Sequence, residues 1–209
     1  MTMLKTLTNV NRFSIPTLSP QPKQLITHIV DHLKKCSNLK ELECLHASMI
    51  KNNTDQDCFL MNQLITACSN FRRTDYAIQA FTHMKDPNVF VYNAIIRGLV
   101  HCFSPTQALQ FYLDMLRARI CPTSYTFSSI VKGCTSIFAL GFGEGVHGQI
   151  WRIGFGSHLY VQTALVDFYS SLGRIVEARQ IFDEMPERDV FAWTTMVSSH
   201  ARVGGFNFC

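Results

Sequence analysis

The amino-acid sequence predicts an all-α protein, an α-solenoid of stacked helix-turn-helix repeats. Apolar residues recur at spacings of three and four, which is the period of amphipathic helices. The same pair of amphipathic segments recurs along the chain every 31 or 35 residues, as in helical repeat arrays. The composition suits a folded chain, because 47% of the 209 residues are hydrophobic and only 16% are charged. Disordered chains need low hydrophobicity and high net charge.

The first helix of each predicted repeat begins with a similar apolar segment. Asn62 and Asn93 are 31 residues apart, and so are Thr163 and Thr194. The 70 residues between Asn93 and Thr163 accommodate two units of 35. The matching segments are CFLMNQLI at 58–65, VFVYNAII at 89–96, LYVQTALV at 159–166 and VFAWTTMV at 190–197.

The second helix of three repeats carries an alanine, an aromatic residue four positions on, and a methionine three positions further. This spacing places all three side chains on one helical face. A single hairpin cannot bury such a face, so we expect neighbouring hairpins to stack through it. The three sets are Ala77/Phe81/Met84, Ala108/Tyr112/Met115 and Ala178/Phe182/Met185.

Turn residues separate the predicted helices and define the repeats. Gly173 and Pro105 lie between the two helices of a unit, whereas Pro122 and Pro186 lie where a second helix has ended. A variant unit covers 124–158, and a shortened relative of it precedes residue 58. The predicted units are 26–57, 58–88, 89–123, 124–158, 159–189 and a partial unit, 190–209.

The N-terminal segment, residues 1–25, differs in composition from the repeats. It carries Lys5, Arg12 and Lys23 and many hydroxyl residues, and the first carboxylate in the chain is Asp31. This composition is typical of an organellar transit peptide, and an untargeted disordered tail is the alternative. No run of about 18 apolar residues appears, so we expect no membrane-spanning helix.

The sequence offers no catalytic or cofactor-binding constellation. Eight cysteines are scattered without a CxxC pair, so no zinc site is predicted, and we interpret them as buried apolar residues of a reducing compartment. GEGVHG at 143–148 fits a dinucleotide-binding pattern but lacks the strand that such a loop needs before it. No nucleophile–base pair is recognisable. We therefore expect no enzyme activity, no cofactor and no small-molecule substrate.

Several segments resemble the pentatricopeptide repeat family of plant organelles, in the subclass that alternates repeats of unequal length (PLS). They are KKCSNLKELECLHASMI at 34–50, VYNAIIRGL at 91–99, IVEARQIFDEMPERDV at 175–190 and AWTTMVSSHARVG at 192–204. By this resemblance, 58–88 and 159–189 are short-type repeats, and 89–123 is a standard-type repeat. The unit 124–158 is then a long-type repeat, 26–57 a shortened long-type repeat, and 190–209 the start of a repeat truncated at the C-terminus.

The resemblance implies a right-handed superhelix that binds single-stranded RNA, with one base read per repeat. It also implies a role in organellar editing-site recognition, processing or splicing, without catalysis by the chain itself. Protein partners would then supply the catalysis. The location would be the mitochondrion or the chloroplast, with the mitochondrion favoured. A protein-binding scaffold and a non-functional truncated product are the alternatives.

In this family the fifth and the last residue of a repeat select the base. Thr163 with Asp189 suits guanine, because a carboxylate accepts hydrogen bonds and guanine presents N–H donors. The two asparagine-containing pairs resemble pyrimidine-preferring combinations. Thr194 has no closing partner, and Ser128 with His158 is assigned no base. The two asparagine-containing pairs are Asn62 with Asn88 and Asn93 with Thr123.

The second residue of four repeats is aromatic. In the family this position packs against neighbouring bases, and an aromatic ring there could stack on a base. The alternative is a ring buried on the adjacent repeat. The four residues are Phe59, Phe90, Tyr160 and Phe191.

Overall fold

The computed structural model describes residues 22–204, and every regular element in that range is an α-helix. The predicted all-α fold class is thereby confirmed. The predicted transit peptide lies almost wholly outside the described residues. The helices are α1 (Pro22–Lys35), α2 (Leu39–Lys51), α3 (Cys58–Asn70), α4 (Thr74–Thr82), α5 (Val89–His101), α6 (Pro105–Arg117), α7 (Ser124–Ser136), α8 (Leu140–Ile153), α9 (Leu159–Ser171), α10 (Ile175–Glu184) and α11 (Val190–Gly204).

The helices form consecutive pairs, and the first helices of the pairs build one continuous layer. In this layer α1, α3, α5, α7, α9 and α11 each contact the next member. Each second helix packs on the first helix of its own pair, and α2, α4, α6 and α10 also contact the first helix that follows. The chain is therefore a solenoid in which every hairpin is buried by its neighbours.

Helix α1 begins four residues earlier than the predicted start of the first unit at residue 26. Pro22 is its first residue, a position at which proline costs no helical hydrogen bond. Leu25 and Ile26 pack against the core. Leu25 and Ile26 are partly buried. Their packing accounts for a helix that begins within the segment for which the composition predicted a transit peptide or a disordered tail.

The alanine, aromatic and methionine residues of the second helices form the seam between hairpins, as the sequence predicts. Ala108 and Met115 are fully buried. The rings of Phe81 in α4 and Tyr92 in α5 meet edge to face, with centroids 4.9 Å apart. Phe182 in α10 and Trp193 in α11 repeat this contact at 4.8 Å. Aromatic pairs in this geometry add about 0.5–1.5 kcal/mol beyond their burial.

The turn inside each pair has the same backbone conformation in four consecutive hairpins. Arg72, Phe103, Phe138 and Gly173 have φ values of 55°, 60°, 54° and 75°, all in the left-handed region. In each turn the next residue donates its N–H to a carbonyl five residues back, which closes the helix end. The spacings between these four residues are 31, 35 and 35, so the structural period agrees with the sequence period.

Two other sequence interpretations can be compared with the fold. GEGVHG lies inside α8, with no strand before it among the described residues, so the dinucleotide-binding reading has no structural basis. Of the seven cysteines described, only Cys68 and Cys134 are buried, and burial raises the pKa of each thiol to about 12. Cys44 and Cys121 are exposed. The interpretation of all the cysteines as core residues was therefore wrong for these two, which lie on the solvent side of α2 and in the α6–α7 turn.

Candidate nucleic-acid interface

A cleft of about 480 Å³ crosses three consecutive first helices, α3, α5 and α7. It brings together four residues that the sequence singled out, although Ser128 had been assigned no base. They are Asn62, Phe90, Asn93 and Ser128. The cleft also contains residues that the sequence reasoning missed. These are Ala94, Arg97, Val100, His101, Tyr125, Ser129 and Lys132.

The cleft is positively charged. Helices α3, α5 and α7 contain no aspartate or glutamate, and their only formal charges are Arg97 and Lys132. Both side chains are exposed, and neither forms an ion pair with any residue in the described part of the chain. The equivalent position in α9 is Asp167. The cleft therefore carries two positive charges without an ion-pair partner among the described residues, on α5 and α7, and these charges attract anions.

The two asparagines at the fifth position are half-buried and their amides are held in place. Asn62 donates from Nδ2 to the backbone oxygen of Phe90 at 2.8 Å. Asn93 donates from Nδ2 to Oγ1 of Thr123 at 3.1 Å, so the predicted pair of this repeat is in direct contact. Its Oδ1 accepts from the hydroxyl of Thr126 at 2.5 Å. Each amide thus reaches the cleft with part of its hydrogen-bonding capacity unused.

The last residue of a repeat is also the N-cap of the next first helix. Asn88 accepts through Oδ1 from the N–H groups of Phe90 and Val91, and Asp189 accepts through Oδ1 from Ala192 at 2.8 Å. Capping leaves the Nδ2 donors of Asn88 and the second carboxylate oxygen of Asp189 for a ligand. This dual role follows from the turn geometry, since the residue that precedes a helix points its side chain at the helix end.

Thr163, which the sequence pairs with Asp189 to select guanine, is buried in α9. Thr163 is only 7% exposed, and its hydroxyl donates to the backbone oxygen of Leu159 at 2.9 Å. Helix α9 is enclosed by α7, α10 and α11. The short threonine side chain therefore stays recessed where the longer asparagines extend into the cleft. Thr194 is exposed, and its hydroxyl donates to the backbone oxygen of Val190 at 2.6 Å.

The aromatic residues at the second position are exposed, which excludes their burial on the adjacent repeat. Tyr125 occupies the same position in the unit 124–158 and was missed, although its spacing from Phe90 is the repeat length of 35. Exposed rings are available to stack on bases. The exposed fractions are 55% for Phe59, 65% for Phe90, 72% for Tyr125, 65% for Tyr160 and 55% for Phe191.

Family models match three parts of the chain. The pentatricopeptide repeat domain matches residues 45–101, the PPR repeat family matches 87–136, and the PPR repeat matches 163–190. Pentatricopeptide repeat-containing protein At1g06143 of Arabidopsis thaliana is 55% identical over 171 residues. The chain is a pentatricopeptide repeat protein of the plant type. That alignment covers 82% of the chain and 29% of the relative.

Other comparisons agree with this assignment. Pentatricopeptide repeat-containing protein At1g59720 of Arabidopsis thaliana, described as chloroplastic/mitochondrial, is 32% identical over 200 residues, or 92% of the chain and 31% of the relative. The crystal structure of the pentatricopeptide repeat protein PPR10 from maize matches the fold with a TM-score of 0.70 at 17% identity, over 90% of this chain and 28% of that one. The chain thus spans about a third of the length of these pentatricopeptide repeat proteins.

Proposed function

We propose that this pentatricopeptide repeat protein binds single-stranded RNA with sequence selectivity and without catalysis of its own. The observation that carries this proposal is the cleft across α3, α5 and α7. It combines unpaired cations, exposed aromatic rings and partly engaged amides on successive repeats. Cations bind phosphates, rings stack on bases, and amides read base edges. Successive units can thus bind successive nucleotides.

Single-stranded RNA is the proposed ligand because the exposed aromatic rings lie on the same surface as the asparagine amides. Phe90 and Tyr125 are the second residues of adjacent repeats, and Asn93 lines the same cleft. An unpaired base can insert between such rings and expose its edge to the amide, whereas paired bases cannot. Thr163 with Asp189 is proposed to read guanine through the carboxylate oxygen that capping leaves free. The asparagine pairs are proposed to read pyrimidines.

The cellular role proposed is recognition of an organellar transcript for editing, processing or splicing, as a member of the PLS subclass. The chain would locate the site, and a protein partner would supply the catalytic step. Relatives carry chloroplastic and chloroplastic/mitochondrial descriptions, which supports an organellar location, with the mitochondrion favoured here. The proposed repeat units are 26–57, 58–88, 89–123, 124–158, 159–189 and the partial unit 190–209. The few reading units of this chain favour recognition that is shared with a protein partner.

RNA binding is tested by fluorescence anisotropy with the 209-residue chain and a pool of labelled random RNA. We expect binding to single-stranded RNA that weakens as salt increases, because phosphate contacts release counterions. Double-stranded RNA of the same length serves as the matched control and should bind more weakly. Binding that is absent, or equal for single and double strands, would contradict the proposal. When RNA selected from the same pool is sequenced, a Thr163→Asn variant should show one selected position that has moved from guanine toward uracil.

A further inference from the structure

Thr126 is a polar residue at a repeat position that is apolar in the four other units from residue 58 onward. It is the third residue of its unit and is fully buried. In the other four units that begin at 58, 89, 159 and 190, the third residue is a fully buried aliphatic side chain. These residues are Leu60, Val91, Val161 and Ala192. A hydroxyl in this layer has to find hydrogen-bond partners, because an unsatisfied buried polar group is costly.

The hydroxyl of Thr126 connects two repeats. It accepts from the backbone N–H of Thr123 at 2.9 Å, and it donates to Oδ1 of Asn93 at 2.5 Å. A hydroxyl has one proton to donate, and here that proton goes to Asn93. Thr126 thus reaches from α7 to a base-reading residue of the preceding repeat on α5.

This contact determines what Asn93 can offer to a base. Oδ1 accepts one hydrogen bond from Thr126, and Nδ2 donates one hydrogen to Thr123 at 3.1 Å. An asparagine amide has two N–H donors and an oxygen with two lone pairs, so one donor and one lone pair remain. Because the Asn93 amide is held at both ends, the positions of this donor and this acceptor are fixed.

The preceding repeat shows the arrangement without this hydroxyl. The residue equivalent to Thr126 is Val91, which cannot donate a hydrogen bond. Asn62 is held through Nδ2 alone, by the backbone oxygen of Phe90, and its Oδ1 remains able to accept. Of the two asparagines at equivalent positions, Asn93 is thus held at both ends of its amide and Asn62 at one end only.

We infer that Thr126 is a specificity-determining residue that fixes the amide of Asn93 in the orientation in which it reads a base. The inference rests on the proposed RNA binding. Thr126 acts through Asn93 and is a positioning residue, since it is buried and does not line the cleft. Repeat 89–123 should therefore discriminate more strongly between bases than repeat 58–88, although both carry asparagine at the fifth position.

The test is selection of RNA from a random pool by the wild-type chain and by a Thr126→Val variant. In the variant the Oδ1 end of the Asn93 amide is no longer held, so the preference between best and worst base at one nucleotide position should fall from about tenfold or more to about twofold. Thr126→Ser retains the hydroxyl and should restore the wild-type preference. Thr135→Val is the matched control, because the Thr135 hydroxyl donates to Val131 within α7. The ratio is measured within one protein, so a uniform loss of stability does not change it.

A second variant tests the same idea in the opposite direction. Val91→Thr places a hydroxyl next to Asn62 and should sharpen the preference at the adjacent nucleotide. An unchanged preference at one position in Thr126→Val, or an equal loss at all positions, would overturn the inference while leaving RNA binding intact. A wild-type chain that selects no RNA would overturn the proposed function itself.

Discussion

The ring of Phe168 in α9 occupies the space left open by the absence of a side chain at Gly143 in α8. A Cβ atom built on Gly143 would overlap three carbons of that ring. Phe168 is fully buried, and the equivalent positions in α3, α5 and α7 are Ala67, Gly98 and Gly133. The bulky residue in α9 is thus matched by a glycine in the neighbouring helix.

The first prediction follows from this contact. Gly143→Ala should destabilise the protein by about 1–3 kcal/mol, because a methyl group must displace a ring in a packed core. Gly145→Ala is the matched control, since a Cβ there meets no atom within 4 Å. It should stabilise the protein by up to about 1 kcal/mol, because alanine favours the helix. Urea unfolding measures both, and equal effects of the two variants would contradict the packing argument.

The second prediction concerns the N-terminus of α9, which lacks a side-chain cap. His158 occupies the N-cap position without a capping hydrogen bond, and its Nδ1 is buried without a partner. Aspartate caps α3 at the equivalent position, Asp57. His158→Asp should therefore stabilise the protein by about 0.5–2 kcal/mol, and Asn88→Ala should destabilise it by a similar amount. A thermal midpoint that is unchanged or lower in His158→Asp would count against this account.

The third prediction is a pH dependence of stability that arises from His147. Burial lowers the pKa of this imidazole, and the more weakly acting carboxylates of Glu184 and Glu144 oppose the shift. Nδ1 lies 2.9 Å from the Tyr169 hydroxyl, and Nε2 accepts from Trp151 at 2.9 Å, which holds the ring in its neutral form. An unfolded histidine titrates near its usual pKa of about 6.5. The unfolded state therefore binds more protons than the folded state as the pH falls through that value.

Stability should therefore decrease as the pH is lowered from 7.5 to 5, by at most about 1.4 kcal/mol per pH unit for this group. His46 adds to the effect, because burial also lowers its pKa. His147→Gln should reduce the pH dependence measured by urea unfolding. A His147→Gln variant with the wild-type profile would exclude His147 as the source.

The fourth prediction concerns the two cations of the cleft. If Arg97 and Lys132 each contact one phosphate, Arg97→Gln and Lys132→Gln should each reduce the salt slope of RNA binding by about 0.7. Arg152→Gln serves as the control, since Arg152 is exposed on α8 outside the cleft. The slope comes from anisotropy titrations at several salt concentrations. A larger change in Arg152→Gln than in the cleft variants would place the RNA elsewhere.

The fold could be predicted from the sequence because the same apolar spacing and the same turn positions recur in each repeat. The left-handed turn residues recur at the predicted spacings even where the residue is Phe103 or Phe138 rather than glycine. Stacking imposes the same backbone path on each hairpin. The left-handed turn therefore recurs even at residues other than glycine, which disfavour a positive φ. The early start of α1 was missed because burial of Leu25 and Ile26 is a tertiary effect.

The candidate site could be predicted only in part. Asn62 and Asn93 were found because they recur in register, and Tyr125 could have been found by the same rule. Arg97 and Lys132 carried a weaker signal, which is that they are the only formal charges of α3, α5 and α7. The burial of Thr163 was not predictable, because it depends on three helices that enclose α9.

The most direct test of the cleft as the RNA-binding surface is ultraviolet crosslinking of the 209-residue chain to single-stranded RNA, followed by mass spectrometry of the peptides. Phe90 and Tyr125 lie in the cleft, whereas Phe103 and Phe138 lie in the turns within hairpins and are comparably exposed, at 78% and 70%. The account predicts crosslinks at Phe90 and Tyr125. Crosslinks concentrated on Phe103 and Phe138 instead would contradict it.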